Sequence, residues 1–139
     1  MRNIKESPFY GVLKEYDHWV VLFRDKQVTI GSVIIMSKEL DKNSLGDVSI
    51  EAWGEFCIVS KDVEDILKRA FKAEKFNYLA LMMYDPEVHF HVIPRYSQPV
   101  QFSGREFIDP DWPNATKRIA MDLDAETLDA IKSKLLSVI

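Results

Sequence analysis

The segment Glu87-Val88-His89-Phe90-His91-Val92-Ile93-Pro94-Arg95 decides how this chain is read. Side chains alternate faces along a β-strand. Glu87, His89 and His91 therefore share one face, and Val88, Phe90 and Val92 share the other, which must be the core side. The polar face presents two imidazoles and a carboxylate from one rigid element, with about 7 Å between alternate positions at a rise of about 3.3 Å per residue. The plain structural reading is three polar residues on the wet side of a sheet. Against it stands a count: the chain has three histidines, and two of them fall here, two residues apart. The third, His18, has no such company and reads as a surface or strand-end residue.

Two chemistries are open to this face. Two imidazoles and a carboxylate can form an open metal site. Glu87 and His91 lie about 13 Å apart at the same rise, so all three cannot ligate one ion without a bend, and a distant carboxylate would have to complete the set. The other chemistry is nucleophilic. A neutral imidazole can attack phosphorus when one nitrogen is free and the other holds its proton in a hydrogen bond, often to a backbone carbonyl. A second imidazole nearby can donate to a phosphate oxygen or to the leaving group.

Working outward, the continuous apolar run 78–83 predicts a central strand buried on both sides, with its methionines as core filler. Asp85-Pro86 makes a turn into the next strand, over 88–93. Upstream, 18–23 and 28–36 are β-prone and flank the turn-like Arg24-Asp25-Lys26-Gln27, which predicts an antiparallel hairpin interrupted at Gly31-Ser32. Residues 41–46 read as a loop. Ser49 can cap a long helix, with Glu51 near its positive dipole end. Ile50, Trp53, Cys57, Val63, Ile66, Leu67, Ala70 and Phe71 recur at helical spacing as its buried face, and Lys61, Glu64, Asp65 and Lys68 as its solvated one. The helix should end near Lys75. Residues 97–121 lack periodicity but hold Phe102, Phe107 and Trp112 among Gly and Pro, as in an ordered loop packed on the body. Asp124 can cap a last helix carrying Leu128, Ile131, Leu135 and Val138. The order β-β-α-β-β-α argues for an α+β fold with an antiparallel sheet, one long helix and a C-terminal helix, in a single domain over 1–139.

Composition bounds the function. The 139 residues are 47% hydrophobic and 29% charged, as in an ordinary globular chain rather than a disordered one. The net charge is −4, with no block of Lys or Arg against it, which argues against nucleic acid as a partner. A small phosphorylated ligand needs only a local cluster of donors. The sequence has no apolar run of signal-peptide or membrane-spanning length, which points to the cytoplasm and away from a membrane. Cys57 is the only cysteine, so an intrachain disulfide and a Cys-rich zinc site are excluded. On the helix it reads as a core residue rather than a nucleophile. No phosphate-cradling Gly-rich loop with its Lys is present.

The segment 87–95 resembles the signature of the histidine triad superfamily of nucleotide hydrolases and transferases, His-φ-His-φ-His-φ-φ with φ apolar, often followed by Pro-Arg. The second and third histidines, the four apolar positions and the Pro-Arg match. The hairpin 22–35, the long helix and the apolar run before the motif follow the family's order, so the likeness covers about residues 16–96. The final third carries no functional assignment. The resemblance implies a fold with about five antiparallel strands. It implies a covalent nucleotidyl-imidazole on His89, formed by attack on the α-phosphate of a nucleoside-monophosphate conjugate such as a dinucleoside polyphosphate, and released by water. It implies that His91 contacts the phosphate and assists proton transfer. It implies chemistry without a metal or other cofactor, and a two-fold homodimer with a continuous sheet.

The chain departs from the family at four places. Glu87 replaces the first histidine. A carboxylate there is repulsive to phosphate and would raise the pKa of a nearby His. It could hold His91 cationic and donating, or be protonated and act as an acid, or mark a nucleotide-binding protein with little catalysis. Ser32 stands where many members have a turn histidine, and Tyr84 near where many have a small hydroxyl residue. Arg24 aligns with a position that is often a polar or acidic ribose contact, and Asp25 is adjacent to it. Arg24 and Arg95 could meet a polyphosphate, although a solvated surface charge is the simpler reading of each.

Overall fold

The computed structural model describes residues 10–139 of the chain. Five antiparallel strands form one sheet in the order β1-β2-β3-β5-β4. They are β1 (Tyr10–Glu15), β2 (Trp19–Arg24), β3 (Val33–Ser37), β4 (Lys75–Leu79) and β5 (His89–Arg95). A long helix, α1 (Ile50–Phe71), lies between β3 and β4, and α2 (Ala125–Ser137) closes the chain. The fold class is therefore α+β with an antiparallel sheet, as the element order predicted. Two short strands, β6 (Val100–Phe102) and β7 (Arg105–Phe107), form a separate hairpin within the stretch that showed no periodicity. Among the described residues no helix is long and apolar enough to cross a membrane.

The hairpin of β2 and β3 forms with Trp19 opposite Ser37 and Phe23 opposite Val33. The second β-prone stretch enters the sheet only at Val33, because Gly31 takes a left-handed φ of 94° that ordinary residues avoid. A Cβ there would meet Leu67 at 2.8 Å and Phe71 at 3.2 Å. β1, which the sequence reading did not foresee, adds to the outer edge of β2 with a register break between Val12 and Lys14. Its short run with a glycine and two charges lacks a strand signature, and its place comes from the edge that β2 offers.

Ser49 caps α1 by accepting from the Ala52 N–H at 3.1 Å. The helix ends at Phe71 rather than near Lys75, because Lys72 turns left-handed at φ 63°. Its buried stripe runs through Ala52, Val59, Val63, Ile66, Leu67 and Phe71. Two expected core residues are corrected here: Ile50 is 86% exposed and Cys57 is exposed. The helix carries apolar residues around more than one stripe, and the sheet took the one through Ala52 and Val59. The Trp19 indole N–H donates to the Ala52 carbonyl at 2.7 Å and ties that stripe to β2.

The run 78–83 is also corrected. β4 is an edge strand, half-buried, and the chain leaves the sheet after Leu79. Leu81 and Met83 are exposed, so they are not core filler. The strand expected over 88–93 begins at His89 and continues to Arg95, flanked by β3 and β4.

The sheet's two faces differ. Trp19, Val21, Phe23, Val33, Ile35, Val88 and Val92 belong to the large cluster that meets both helices. Val20, Leu22, Ile34 and Met36 form a smaller cluster on the other face. His89 pairs with Met36 and His91 with Ile34, so both histidines sit beside this second apolar cluster. The expected alternation along β5 holds, but its polar face is not wet: Glu87, His89 and His91 are all buried.

Candidate active site

β5 is held from its core side. Phe90 lies 4.9 Å from Phe56 and 6.1 Å from Trp53, within an aromatic cluster that also holds Trp19 and Tyr78. Val88 and Val92 are fully buried on either side of it. Burying a side chain of that size stabilises by roughly 1.5–3 kcal/mol, so the strand that carries the histidines is pinned by three consecutive core positions. The His89 and His91 rings stand 5.1 Å apart, nearly perpendicular.

The hydrogen bonds assign each ring's proton. His89 Nδ1 lies 2.7 Å from the backbone carbonyl of Glu87. A carbonyl can only accept, so Nδ1 carries the hydrogen, and in the neutral ring Nε2 keeps its lone pair. His91 Nδ1 lies 2.6 Å from an Arg24 guanidinium nitrogen. A guanidinium can only donate, so His91 Nδ1 accepts and its proton is on Nε2. Burial beside the apolar cluster, and then the charge of Arg24, lower the His91 pKa to about 4.

Of the alternatives open for Glu87, the one in which it holds His91 cationic does not fit this geometry. Arg24 occupies that nitrogen and keeps the ring neutral. A neutral His91 has its Nε2–H to offer as a hydrogen bond. Among the described residues the Glu87 carboxylate is absent from the cavity wall, and its buried Oε2 has no hydrogen-bond partner. What Glu87 contributes to His89 is its main-chain oxygen, which any residue at this position would supply.

A cavity of about 480 Å³ opens over the two histidines. Arg24, Asp25 and Lys26 line it from the end of β2, Leu81, Met83, Tyr84 and Asp85 from the β4–β5 connection, and Arg118 from the segment before α2. The structure thus brings together His89, His91, Arg24, Asp25 and Tyr84 from the sequence reading. It adds Lys26, Asp85 and Arg118, which that reading missed. Lys26 and Asp85 adjoin residues that were singled out, and they are found once the turns are placed. Arg118 lies in an aperiodic stretch and carries no sequence signal.

Three residues are placed elsewhere. Ser32 is buried within its own turn, where its hydroxyl donates to the Thr29 carbonyl at 2.8 Å. His18 is half-buried at a strand end, and its backbone N–H donates to the Glu55 carboxylate at 2.7 Å. Arg95 is neither a solvated charge nor a phosphate ligand. It is buried, donates to both Asp109 carboxylate oxygens at 2.6 and 3.2 Å, and also reaches the Asn77 side chain and the Asn114 carbonyl. Among the described residues no three His, Cys, Asp or Glu side chains are grouped to hold a metal ion.

No family model and no curated protein matches the sequence. Solved structures do match over nearly the whole chain. A histidine triad protein from Sinorhizobium meliloti 1021 is 16% identical with a TM-score of 0.75, over 100% of this chain and 96% of that one. One from Marinobacter aquaeolei VT8 is 21% identical with a TM-score of 0.73, over 94% and 88%. A hypothetical histidine triad nucleotide-binding protein from Sulfolobus tokodaii is 16% identical with a TM-score of 0.69, over 94% and 82%. The chain has the histidine triad fold.

Proposed function

We propose that this chain is a nucleotide hydrolase or transferase of the histidine triad type. One observation carries the proposal: the 2.7 Å contact between His89 Nδ1 and the Glu87 carbonyl leaves Nε2 as the unprotonated nitrogen of a residue lining the cavity. In this reading His89 Nε2 attacks the α-phosphate of a nucleoside-monophosphate conjugate. A phosphorus–nitrogen bond forms, and the bond from phosphorus to the leaving group breaks, its electron pair going with that group. Water then attacks the nucleotidyl phosphorus. The phosphorus–nitrogen bond breaks, its pair returns to Nε2, and the water proton passes to solvent. His91 donates its Nε2–H to a phosphate oxygen, where negative charge accumulates. The exposed Met83 and Tyr84 at the mouth offer apolar and aromatic surface to a base.

The motif, the fold and the nucleotide-binding description of the Sulfolobus relative support this reading. Incubation with a dinucleoside polyphosphate should give a mass increase of one nucleotidyl group on His89, together with release of the nucleoside monophosphate. The second reading, a nucleotide-binding protein with little catalysis, is motivated by the unpartnered Glu87 Oε2 near His89. Nucleotide binding without adduct or turnover would select it. Among the described residues β1 and β4 end the five-stranded sheet, and the homodimer expected from the resemblance would pair such an edge with its copy. Light scattering on the purified chain tests it.

A further inference from the structure

Arg24 reaches His91 from across an intervening strand. β3 stands between β2 and β5, with Leu22, Ile34 and His91 in one row over the three strands. Arg24 follows Leu22 by two positions and so shares its face of the sheet. From the end of β2 its side chain leans over β3 and puts a guanidinium nitrogen 2.6 Å from His91 Nδ1.

The turn after β2 holds Arg24 in place for that contact. Gln27 is wholly buried, and its amide donates to the Arg24 carbonyl at 2.5 Å and to the Ser32 carbonyl at 2.8 Å. Its side-chain oxygen accepts from the Gly31 and Ser32 N–H groups at 2.8 and 3.1 Å. One side chain thereby clips the end of β2 to the approach of β3. The buried Thr29 hydroxyl donates to the Pro94 carbonyl at 2.5 Å, which ties the same turn to β5, the strand that carries His91. The Arg24 backbone and the His91 backbone are therefore fixed relative to each other by buried hydrogen bonds as well as by the ladder.

The consequence falls on the other side of the imidazole. A neutral imidazole has one donor nitrogen and one acceptor nitrogen, and a guanidinium has only donors and does not lose its charge. With Arg24 on Nδ1, the ring can neither change tautomer nor turn over without giving up a charge-assisted hydrogen bond. His91 lines the cavity, and Nε2–H is the group left for it to present there. Among the described residues the Glu87 carboxylate, on the same strand as His91, is not on the cavity wall and gives no such control. Arg24 lines the cavity as well, so a guanidinium there has two possible uses, to bind a phosphate directly or to set the histidine that does.

We propose that Arg24 is a positioning residue, which acts on a bound phosphate through His91 by fixing its Nε2–H donor and not as a ligand of the phosphate itself. The kinetic part of the test rests on the nucleotidyl-transfer reading above, and the spectroscopic part does not. In nitrogen NMR near neutral pH, wild-type His91 should show an unprotonated, hydrogen-bonded Nδ1 and a protonated Nε2. Arg24→Ala, and Arg24→Met, which keeps the length without a donor, should shift the Nδ1 resonance and let the other tautomer appear. A hydrogen on Nδ1 in the wild type, or ring-nitrogen signals unchanged in both variants, overturns the proposal. In turnover of a dinucleoside polyphosphate, both variants should lose about 10- to 100-fold in kcat with KM changed by less than about threefold, because a misplaced donor counts most where charge accumulates in the transition state. Arg24→Lys, which still carries a donor, should fall between. A raised KM with kcat unchanged makes Arg24 a substrate ligand and overturns the proposal, as does turnover unchanged in both respects. Absence of turnover in the wild type overturns the hydrolase reading alone, and the nitrogen spectra then decide whether Arg24 sets His91.

Discussion

The sheet and the segment after it build the two sides of the cavity by different means. On the sheet side, His89 and His91 are placed by strand register: Met36 and Ile34 stand opposite them, and Val88, Phe90 and Val92 lock the far face. On the other side, the strap before α2 that carries Arg118 is held by single hydrogen bonds, from Arg95 to the Asn114 carbonyl, from the Arg118 N–H to Thr116 and from the Met121 N–H to the Gln27 carbonyl, and by the buried Arg95–Asp109 pair. Register is redundant, because many ladder bonds and core contacts specify the same position. The strap depends on a few polar contacts, each of which can be removed by one substitution. Catalysis should therefore fail through single atoms on the first side, and geometry through single anchors on the second.

The largest effect expected is on turnover. His89→Ala should lower it on the order of 10⁴-fold or more by removing the nucleophile, while circular dichroism and thermal melting stay near wild type because the Val88 and Phe90 packing is untouched. Hydrolysis unchanged in that variant would move the chemistry off β5. The strap should break next. Asp109→Ala leaves the Arg95 guanidinium buried without its carboxylate, which should cost about 3–5 kcal/mol by denaturant titration.

A smaller effect sharpens the sheet side. The unfolded chain protonates His91 near its ordinary 6.5, whereas the fold holds it down to about 4, first by burial and then by Arg24. As the pH falls, the unfolded state takes up the proton first. The stability associated with neutral His91 is then complete above about pH 6.5 and is lost between 6.5 and 4. Melting temperatures over that window should fall for wild type and change less for His91→Asn. NMR titration of Arg24→Ala should show the His91 imidazole titrating higher than in wild type, though still depressed by burial. The smallest effect belongs to a residue on neither side. Cys57→Ser should alter stability by less than about 0.5 kcal/mol, and the native thiol should react freely with a disulfide reagent, because Cys57 is exposed on α1.

These two modes of placement explain what was readable from the chain alone. The pair His89 and His91, their common face and the core role of Val88 and Val92 follow from a period of two, which no tertiary contact is needed to see. The caps Ser49 and Asp124 were equally local, since each side chain serves an N–H three residues on. The misread positions share a different cause. Periodicity could not choose between the stripe of α1 through Ile50 and Cys57 and the stripe through Ala52 and Val59. An apolar run such as 78–83 reads alike whether it crosses a core or leaves a sheet edge to line a cavity. Arg95 and Arg24 were given the same meaning because a single arginine in sequence carries no information about its partners.

By itself, then, the sequence determined the antiparallel α+β fold, the long helix and the strand that presents two imidazoles, because these depend on contacts between near neighbours and on alternating polarity. Only the tertiary structure decided which nitrogen of each histidine holds its proton, that Arg24 rather than Glu87 governs His91, and that Arg118 reaches the cavity from far along the chain. Those outcomes depend on the course of the backbone, on partners such as Arg24 and Arg118 that are remote in sequence, and on the burial of polar atoms, where a hydrogen bond of 2.6 or 2.7 Å fixes which ring nitrogen carries the hydrogen, a choice that residue identity leaves open.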